Sequence, residues 1–456
     1  MKRLPSDAVF GALLFVVALV PRLYVAVAWA GEPVWDGHYY DFGARRIAQG
    51  SGYSDDLTLG GHLVWHPWAH YPVGYSAFLA VFYRVFGDGR AIAAVANALI
   101  GAALAVTTWA LARHALSPLR SRAAGLLVAL HPGLILYAAL VMSEPLAALL
   151  TLLAFWAAVA LRPRRGLVAG ALLLGVAALV RPQALLCAPF LALVLPRSRA
   201  RLPAAVVACA LALVPVLPWT ARNCAVMDGC ALVSTNAGWN LAIGAFPRAT
   251  GRFETLHSSD GCRDVTGQVQ QDRCWRDYGL AQIRAHSWHW LALVPAKLGF
   301  TFDHESFAVE YLHEAHPEAW PEDRRERGRG VTTLFHRLLL AGAVLGCIAY
   351  PRPRPPRAAA VQGALIALAV VLVAVAFTAD TPAFWPLALF LAVVPWLPLP
   401  GRPAMPPALL LPLALLATTL VTHAVFFGED RYHVVVTPVL ALVAAAALRG
   451  RAPAPS

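Results

Sequence analysis

The chain has 456 residues, of which 59% are hydrophobic and only 14% charged. A soluble domain carries about 25% charged residues, so the composition excludes an ordinary water-soluble globular protein and places most of the chain in a bilayer. The formal net charge of +12 does not imply a nucleic-acid partner, because arginines gathered in short loops between apolar runs are what membrane topology requires.

The first apolar run, 8–30, follows Met1-Lys2-Arg3. It is long for a signal peptide and is followed by bulky polar residues, so it reads as a retained helix. Further runs approaching the roughly 20 residues needed to cross a hydrocarbon core fall at 91–112, 123–141, 146–161, 166–180, 183–196, 203–219, 332–350, 358–378, 383–399, 405–426 and 434–448. The expected fold is an all-α polytopic membrane protein with extracytoplasmic loops and interfacial helices, of about twelve spans within a range of eleven to thirteen. Arg-rich breaks at 113–122, 162–165, 197–201, 352–357, 402 and 449–451 all fall on one side of this map, which the positive-inside rule makes cytoplasmic. Two long stretches, 31–90 and 220–331, then face outward. Within the first, Tyr75 to Phe86 is apolar but short and is expected to lie in the interface. Within the second, "SWHWLALVPAKLGF" is interrupted by Pro295. A crossing there would move every later Arg-rich break to the wrong side, so it too is expected outside.

Of seven cysteines, Cys187, Cys209 and Cys347 fall in expected spans, and Cys224, Cys230, Cys262 and Cys274 share the second outer loop. An even number confined to one oxidising-side segment reads as disulfides. Zinc is the rival, without the CxxC pairs that a structural site usually shows. Of the three connectivities, Cys224–Cys230 with Cys262–Cys274 is preferred, because both bonds close short local loops.

The densest polar chemistry lies just beyond the first span, in "PVWDGHYYDFGARRIAQGSGYSDD". Asp36, set among aromatic residues at the membrane surface, can accept a proton from a substrate hydroxyl; the plainer reading is a solvated loop aspartate. Asp41 is its local competitor, and Asp55 and Asp56 resemble an ordinary turn. Glu144, at the outer end of the third span, faces a cavity or pairs with an arginine such as Arg181. Arg181, Arg222 beside Asn223, Lys297, and Arg431 beside Tyr432 place cations at the outer face. There an arginine can grip a phosphate with two prongs or simply anchor at the interface. As a set they suggest an anionic ligand in the outer leaflet. His66 and His70, in "WHPWAHYPVGY", are candidates for a divalent metal, against a reading as hydrogen-bonded structure.

The order of these elements resembles the GT-C glycosyltransferases that use polyprenyl-phosphate sugars, in the branch of the protein O-mannosyltransferases and the lipid A aminoarabinose transferase. The marks are "WDGHYYDFGARRIAQGSGY", "HYPVGYSAFLAVFYRVFG", "MSEPL", "GVAALVRPQALL", "PWTARNCAVMDGCALVSTNAGWNLAIGAFPRATG" and "GEDRYHVVVTPVLAL", which run from end to end of the chain. The resemblance implies one transmembrane domain over 1–456, with Asp36 at the position of the catalytic aspartate and Tyr40 four residues on. It implies inverting transfer of a sugar from a polyprenyl-phosphate donor to an extracytoplasmic acceptor, in a bacterial inner membrane. Tyr40, Asp41, Glu144, Arg181, Arg222, Asn223, Lys297, Arg431 and Tyr432 would line the substrates. The chain departs from the pattern where Gly37 follows Asp36 in place of a second acid. His70-Tyr71 also precede Pro72 where aminoarabinose transferases place Glu-Lys. The chain ends soon after its last span, which speaks against an oligosaccharyltransferase. A polytopic transporter or lipid-linked-sugar flippase is the alternative, although transporters tend to carry repeats and mid-membrane ionisable residues. A non-catalytic assembly protein is a third reading.

Overall fold

A computed structural model of the protein describes residues 6–196, 198–349, 356–381, 383–398 and 405–448. Nearly every element is helical, and the chain is a polytopic all-α membrane protein. Among the described residues six helices are long and apolar enough to cross a membrane: Asp7–Trp29, Arg90–Ala112, Pro163–Val180, Glu322–Ile348, Ala359–Thr378 and Pro407–Val425. Two bent pairs raise the number to eight if each is one span, Pro118–Ala129 with Pro132–Ala139 at 53° and Arg201–Leu213 with Leu217–Val226 at 48°. The other four segments expected to cross are shorter: Glu144–Ala160, Pro182–Val194 wound as a 3₁₀ helix, Trp385–Trp396, and a 3₁₀ turn Asp430–Val436 that leads into Thr437–Ala445. Of the arginines expected on the inner side, Arg197, Arg352, Arg354, Arg402, Arg449 and Arg451 lie outside the described residues.

Two boundaries differ from the sequence reading. The helix expected at 332–350 begins at Glu322, ten residues early, because its polar first turns carry their own ion pairs. Arg325 reaches Glu322 at 2.9 Å and Arg327 reaches Asp323 at 2.6 Å, spacings that put the partners on one helix face. The third span is bent because Pro132 follows His131 and breaks the α-helical ladder.

That break would strand carbonyls in hydrocarbon, where each unsatisfied backbone group costs several kcal/mol. Arg22, buried in the first helix, supplies the donors. Its Nη1 donates to Ala129 O at 2.7 Å and to Ala18 O at 2.8 Å, and its Nη2 donates to Val128 O at 3.0 Å. Gly101 on the neighbouring Arg90–Ala112 helix makes room, since a Cβ there would lie 2.4 Å from Arg22 Nε.

The long segments between the apolar helices are ordered by polar clasps. The helix Asp36–Ala48 packs on Val73–Phe86. Between them a two-stranded hairpin pairs Thr58 with Leu63 and Leu59 with His62. Its turn is Gly60-Gly61, at φ 57° and 81°, as a tight right-twisted hairpin requires. Arg222 donates to Tyr53 O at 2.6 Å and Trp68 O at 2.9 Å, tying the helix Leu217–Val226 to the loop before Val73–Phe86. A small second core, including Phe246, Leu256, Trp275 and Phe427, lies under the later loop. Cys224 is bonded to Cys230, and Cys262, inside that core, to Cys274. Non-reducing peptide mapping should recover these two pairs and no other. Cys262→Ser should lower stability by roughly 3 kcal/mol, the loop-entropy value for a link of this length. Four free thiols in oxidatively expressed protein would overturn the assignment.

Candidate active site

Asp36 is the first residue of its helix, where the helix dipole favours a negative charge. Trp35 before it has φ 51°, the one positive value at a non-glycine among the described residues; such strain concentrates at functional sites. The Trp35 ring is fixed against Phe307 at 5.5 Å and Tyr311 at 5.7 Å. Gly37, the departure from the two-acid pattern, has a steric cause: a Cβ there would lie 2.3 Å from Tyr311 Oη.

The Asp36 carboxylate accepts hydrogen bonds from Tyr71 Oη at 2.7 Å and from Arg431 Nη1 at 2.5 Å. Burial pushes its pKa up, but the Arg431 charge and the Tyr71 hydroxyl outweigh that and hold it below the usual carboxylate range. The group is therefore ionised at neutral pH. Arg431 lies with its Nε 2.5 Å from Glu429 and its guanidinium over Phe307 and Tyr432, at 5.2 and 5.1 Å. Glu429 has the opposite balance: burial, helped by the charges of Asp36 and Asp430 and opposed by Arg431, pushes its pKa up to about 7.

The network continues along the ends of neighbouring helices. Arg431 donates to Tyr432 Oη at 3.3 Å, and Arg181 lies over the Tyr432 ring at 5.6 Å. Arg181 pairs with Glu144 and reaches Ser143 Oγ at 3.3 Å, and the Tyr40 hydroxyl lies 3.3 Å from the same oxygen. Six of the residues picked out in the sequence, Asp36, Tyr40, Glu144, Arg181, Arg431 and Tyr432, thus form one connected patch.

Beside the patch is a cavity of about 800 Å³, whose lining includes Asp36, Arg252, His304, Arg325, Arg329, Glu429 and Arg431. Sequence reasoning did not single out Arg252, Arg325, Arg329 or Glu429. Arg325 and Arg329 share Glu310, at 2.5 and 3.4 Å. Arg252 is exposed and has no acceptor among the described residues. It is delivered by an isolated backbone pairing between distant segments, in which Gly428 N donates to Gly251 O at 2.9 Å. Nothing in the sequence around Arg252 announces that pairing.

The remaining picks are placed elsewhere. Asp41 is buried away from the cavity, accepting from Tyr83 Oη and, at 2.7 Å, from Arg45 Nε. Arg222 is spent on the loop carbonyls described above. Asn223 is likewise buried, donating to Ala231 O at 3.0 Å. Lys297 turns to Val425 O at 3.3 Å and the Trp290 ring at 5.0 Å; Gly428 packs so closely on its backbone that a Cβ would lie 1.8 Å from Lys297 O. None of the four lines the cavity. His66 binds Asp55 Oδ2 at 2.7 Å, while His70 stands edge-on to Tyr71 and Trp239. Burial lowers the His70 pKa to about 4, and the two histidines are not among the described residues that could hold a metal as a group of three or more.

A family model described as dolichyl-phosphate-mannose-protein mannosyltransferase matches residues 70–221, about a third of the chain. No curated protein matches significantly. Among solved structures, similarity is found to the Archaeoglobus fulgidus oligosaccharyltransferase tethered with an acceptor peptide, at 14% identity and a TM-score of 0.47, covering 96% of this chain and 49% of that one. ArnT from Cupriavidus metallidurans bound to undecaprenyl phosphate is similar at 17% identity and a TM-score of 0.36, covering 96% and 77%. The chain spans about half the length of the archaeal enzyme. Through residues 70–221 the chain carries the pattern of the dolichyl-phosphate-mannose-protein mannosyltransferases, and with it the likeness to GT-C membrane glycosyltransferases read from its sequence.

Proposed function

We propose that the protein is a glycosyltransferase that moves a sugar from a polyprenyl-phosphate donor to an acceptor hydroxyl on the extracytoplasmic face of the membrane, with inversion. The observation that carries this reading is Asp36, bound by Arg431 and Tyr71 at the edge of a large cavity that is also lined by Arg252, which has no acceptor among the described residues. Asp36 receives the proton of the acceptor hydroxyl as that oxygen attacks the anomeric carbon and the bond to the phosphate oxygen breaks. Arg431 and Arg252 take up the charge that grows on the departing phosphate, the electrostatic part of the catalysis. A donor phosphate competes with Asp36 for Arg431, so donor binding itself frees the carboxylate to act as a stronger base. Arg181 supports the site through Glu144 and Tyr432. Arg222 and Lys297, given their partners, serve the scaffold. The bacterial inner membrane and a periplasmic active site are part of the same reading.

The direct test is transfer by the purified, detergent-solubilised chain. A transporter or flippase moves nothing without two compartments, whereas an enzyme converts a polyprenyl-phosphate sugar in solution. Asp36→Asn should lower turnover about 100- to 10,000-fold, the usual contribution of a general base, while Asp41→Asn stays within about tenfold at equal expression. Retained activity in both would sink the mechanism. For the cation, Arg431→Lys should keep part of the donor binding that Arg431→Ala loses, because lysine keeps the charge without the two-pronged geometry. Equal donor KM in wild type and Arg431→Ala would remove Arg431 from the phosphate site.

Glu429 gives a pH signature. Its raised pKa means that the folded state holds the proton that the unfolded chain releases, so its contribution to stability is lost as pH rises from the ordinary glutamate value to about 7. Below about 7 the neutral carboxyl leaves Arg431 to the phosphate, and above it the carboxylate competes. Donor KM should therefore rise with pH through 7 in wild type and stay flat in Glu429→Gln. An identical rise in both would show that Glu429 is not the titrating group.

A further inference from the structure

Buried behind His304, Ser306 and Arg431 in the chain, which line the cavity, is a second polar cluster that the proposed reaction does not use. Glu305, His336 and His433 come from three segments: the loop before the helix Phe307–Ala315, the helix Glu322–Ala349, and the 3₁₀ turn that carries Arg431. Their exposures are 2%, 0% and 0%, and their ligating atoms lie within 4.8 Å of one another. His131, at the break in the third span and 1% exposed, borders the group with Nε2 3.8 Å from Glu305 Oε2.

The hydrogen bonds around the cluster decide which ring nitrogens carry protons. His336 Nε2 lies 2.9 Å from Phe302 O, and His433 Nδ1 lies 2.7 Å from Thr301 O. A carbonyl only accepts, so these two nitrogens are the N–H donors. In the neutral rings the other nitrogens, His336 Nδ1 and His433 Nε2, hold lone pairs, and both face Glu305 Oε2, at 3.9 and 3.0 Å. Acceptors thus point at an acceptor in a space with no water-exposed surface. His336 Nδ1 and Glu305 Oε1 have no hydrogen-bond partner, and neither has His131 Nε2; buried polar atoms left in this way are costly. A proton on His433 would satisfy one contact and leave His336 Nδ1 stranded. A cation among the three gives a partner to His336 Nδ1, His433 Nε2 and the Glu305 carboxylate together. Backbone carbonyls behind the imidazoles are also how metal-binding histidines are held in orientation.

We propose that Glu305, His336 and His433 form a buried divalent-cation site, with Zn²⁺ as its occupant. Two imidazole nitrogens and a carboxylate suit zinc, and the nitrogens, 3.0 and 3.9 Å from Glu305 Oε2, are near enough to close on one ion with bonds of about 2.0–2.2 Å. His131 takes no ligand position: its Nδ1 accepts from Leu134 N at 3.3 Å, so its Nε2–H faces the carboxylate as a donor. Gly133 leaves the space the carboxylate needs, because a Cβ there would come within 1.5 Å of Glu305 Oε1. The site staples the turn carrying Arg431 to the loop of His304 and Ser306, which also line the cavity. It is thereby a structural cross-link that sets the height of Arg431 over Asp36.

Metal content tests the site without reference to transfer activity. The full chain, purified in detergent, is stripped with a chelator, loaded with Co²⁺ as a spectroscopic substitute and freed of excess. Wild type should keep roughly one equivalent per chain, with visible absorption bands of a low-symmetry site; Glu305→Gln and His336→Gln should lose both the metal and the bands. The double change of His66→Ala and His70→Ala should leave them intact. Bands that survive Glu305→Gln, or that vanish with the His66 and His70 changes, would assign the metal elsewhere and overturn the proposal. Should the cluster variants fail to fold, wild type alone decides: Zn²⁺ added to stripped protein should raise Tm by several degrees. An unchanged Tm together with no retained Co²⁺ would reject the site.

Discussion

The contact between Asp36 and Arg431 joins residues 395 positions apart in the chain, and the segments around it are arranged to make it. The pair is half-buried, so removing one partner leaves the other charge poorly compensated beside the cavity. The constraint reaches outward from there. Trp35 takes a strained backbone conformation to start the helix at Asp36, Gly37 stays small under Tyr311, and Tyr71 is brought in by the loop that Arg222 clasps. On the other side, Gly428 pairs with Gly251 so that the segment carrying Arg431 meets the one carrying Arg252.

The same logic governs the helices. With little water available, each polar group needs a partner inside the protein, and the structure meets this with long side chains that reach across segment ends. Arg22 caps the broken third span from the first helix. Asp303 accepts from Phe384 N at 2.7 Å and Trp385 N at 2.8 Å, and Asp430 accepts from Ser306 N and Phe307 N. These acids satisfy free N–H groups at helix starts. An acid or an arginine in an apolar chain is therefore as often a cap as a reagent, and distance to the cavity separates the two.

The same distinction separates the four cations. Arg181, Arg222, Lys297 and Arg431 are alike in sequence: each is a cation near the outer end of an apolar run. Their tertiary partners differ. Arg222 and Lys297 face backbone carbonyls, Arg181 a glutamate, and only Arg431 the carboxylate of Asp36. The buried cluster of Glu305, His336 and His433 was invisible for the same reason. Its members come from three segments and carry no shared spacing, whereas His66 and His70 stand four apart and invited a metal reading that their own partners do not support.

What the sequence determined by itself was what depends on local composition. Apolar runs of span length, arginines in the breaks, four cysteines in one outer loop and an aspartate after the first span are each written in consecutive residues, and the hydrophobic effect and the positive-inside rule act on them directly. The helical, polytopic character and both cysteine pairs follow at that level. The tertiary structure alone decided which charges meet. A pairing such as Arg431 with Asp36, or Gly428 with Gly251, depends on how the helices pack and where their ends come to rest. Packing depends on side-chain shape across the whole bundle, which no short window of sequence contains.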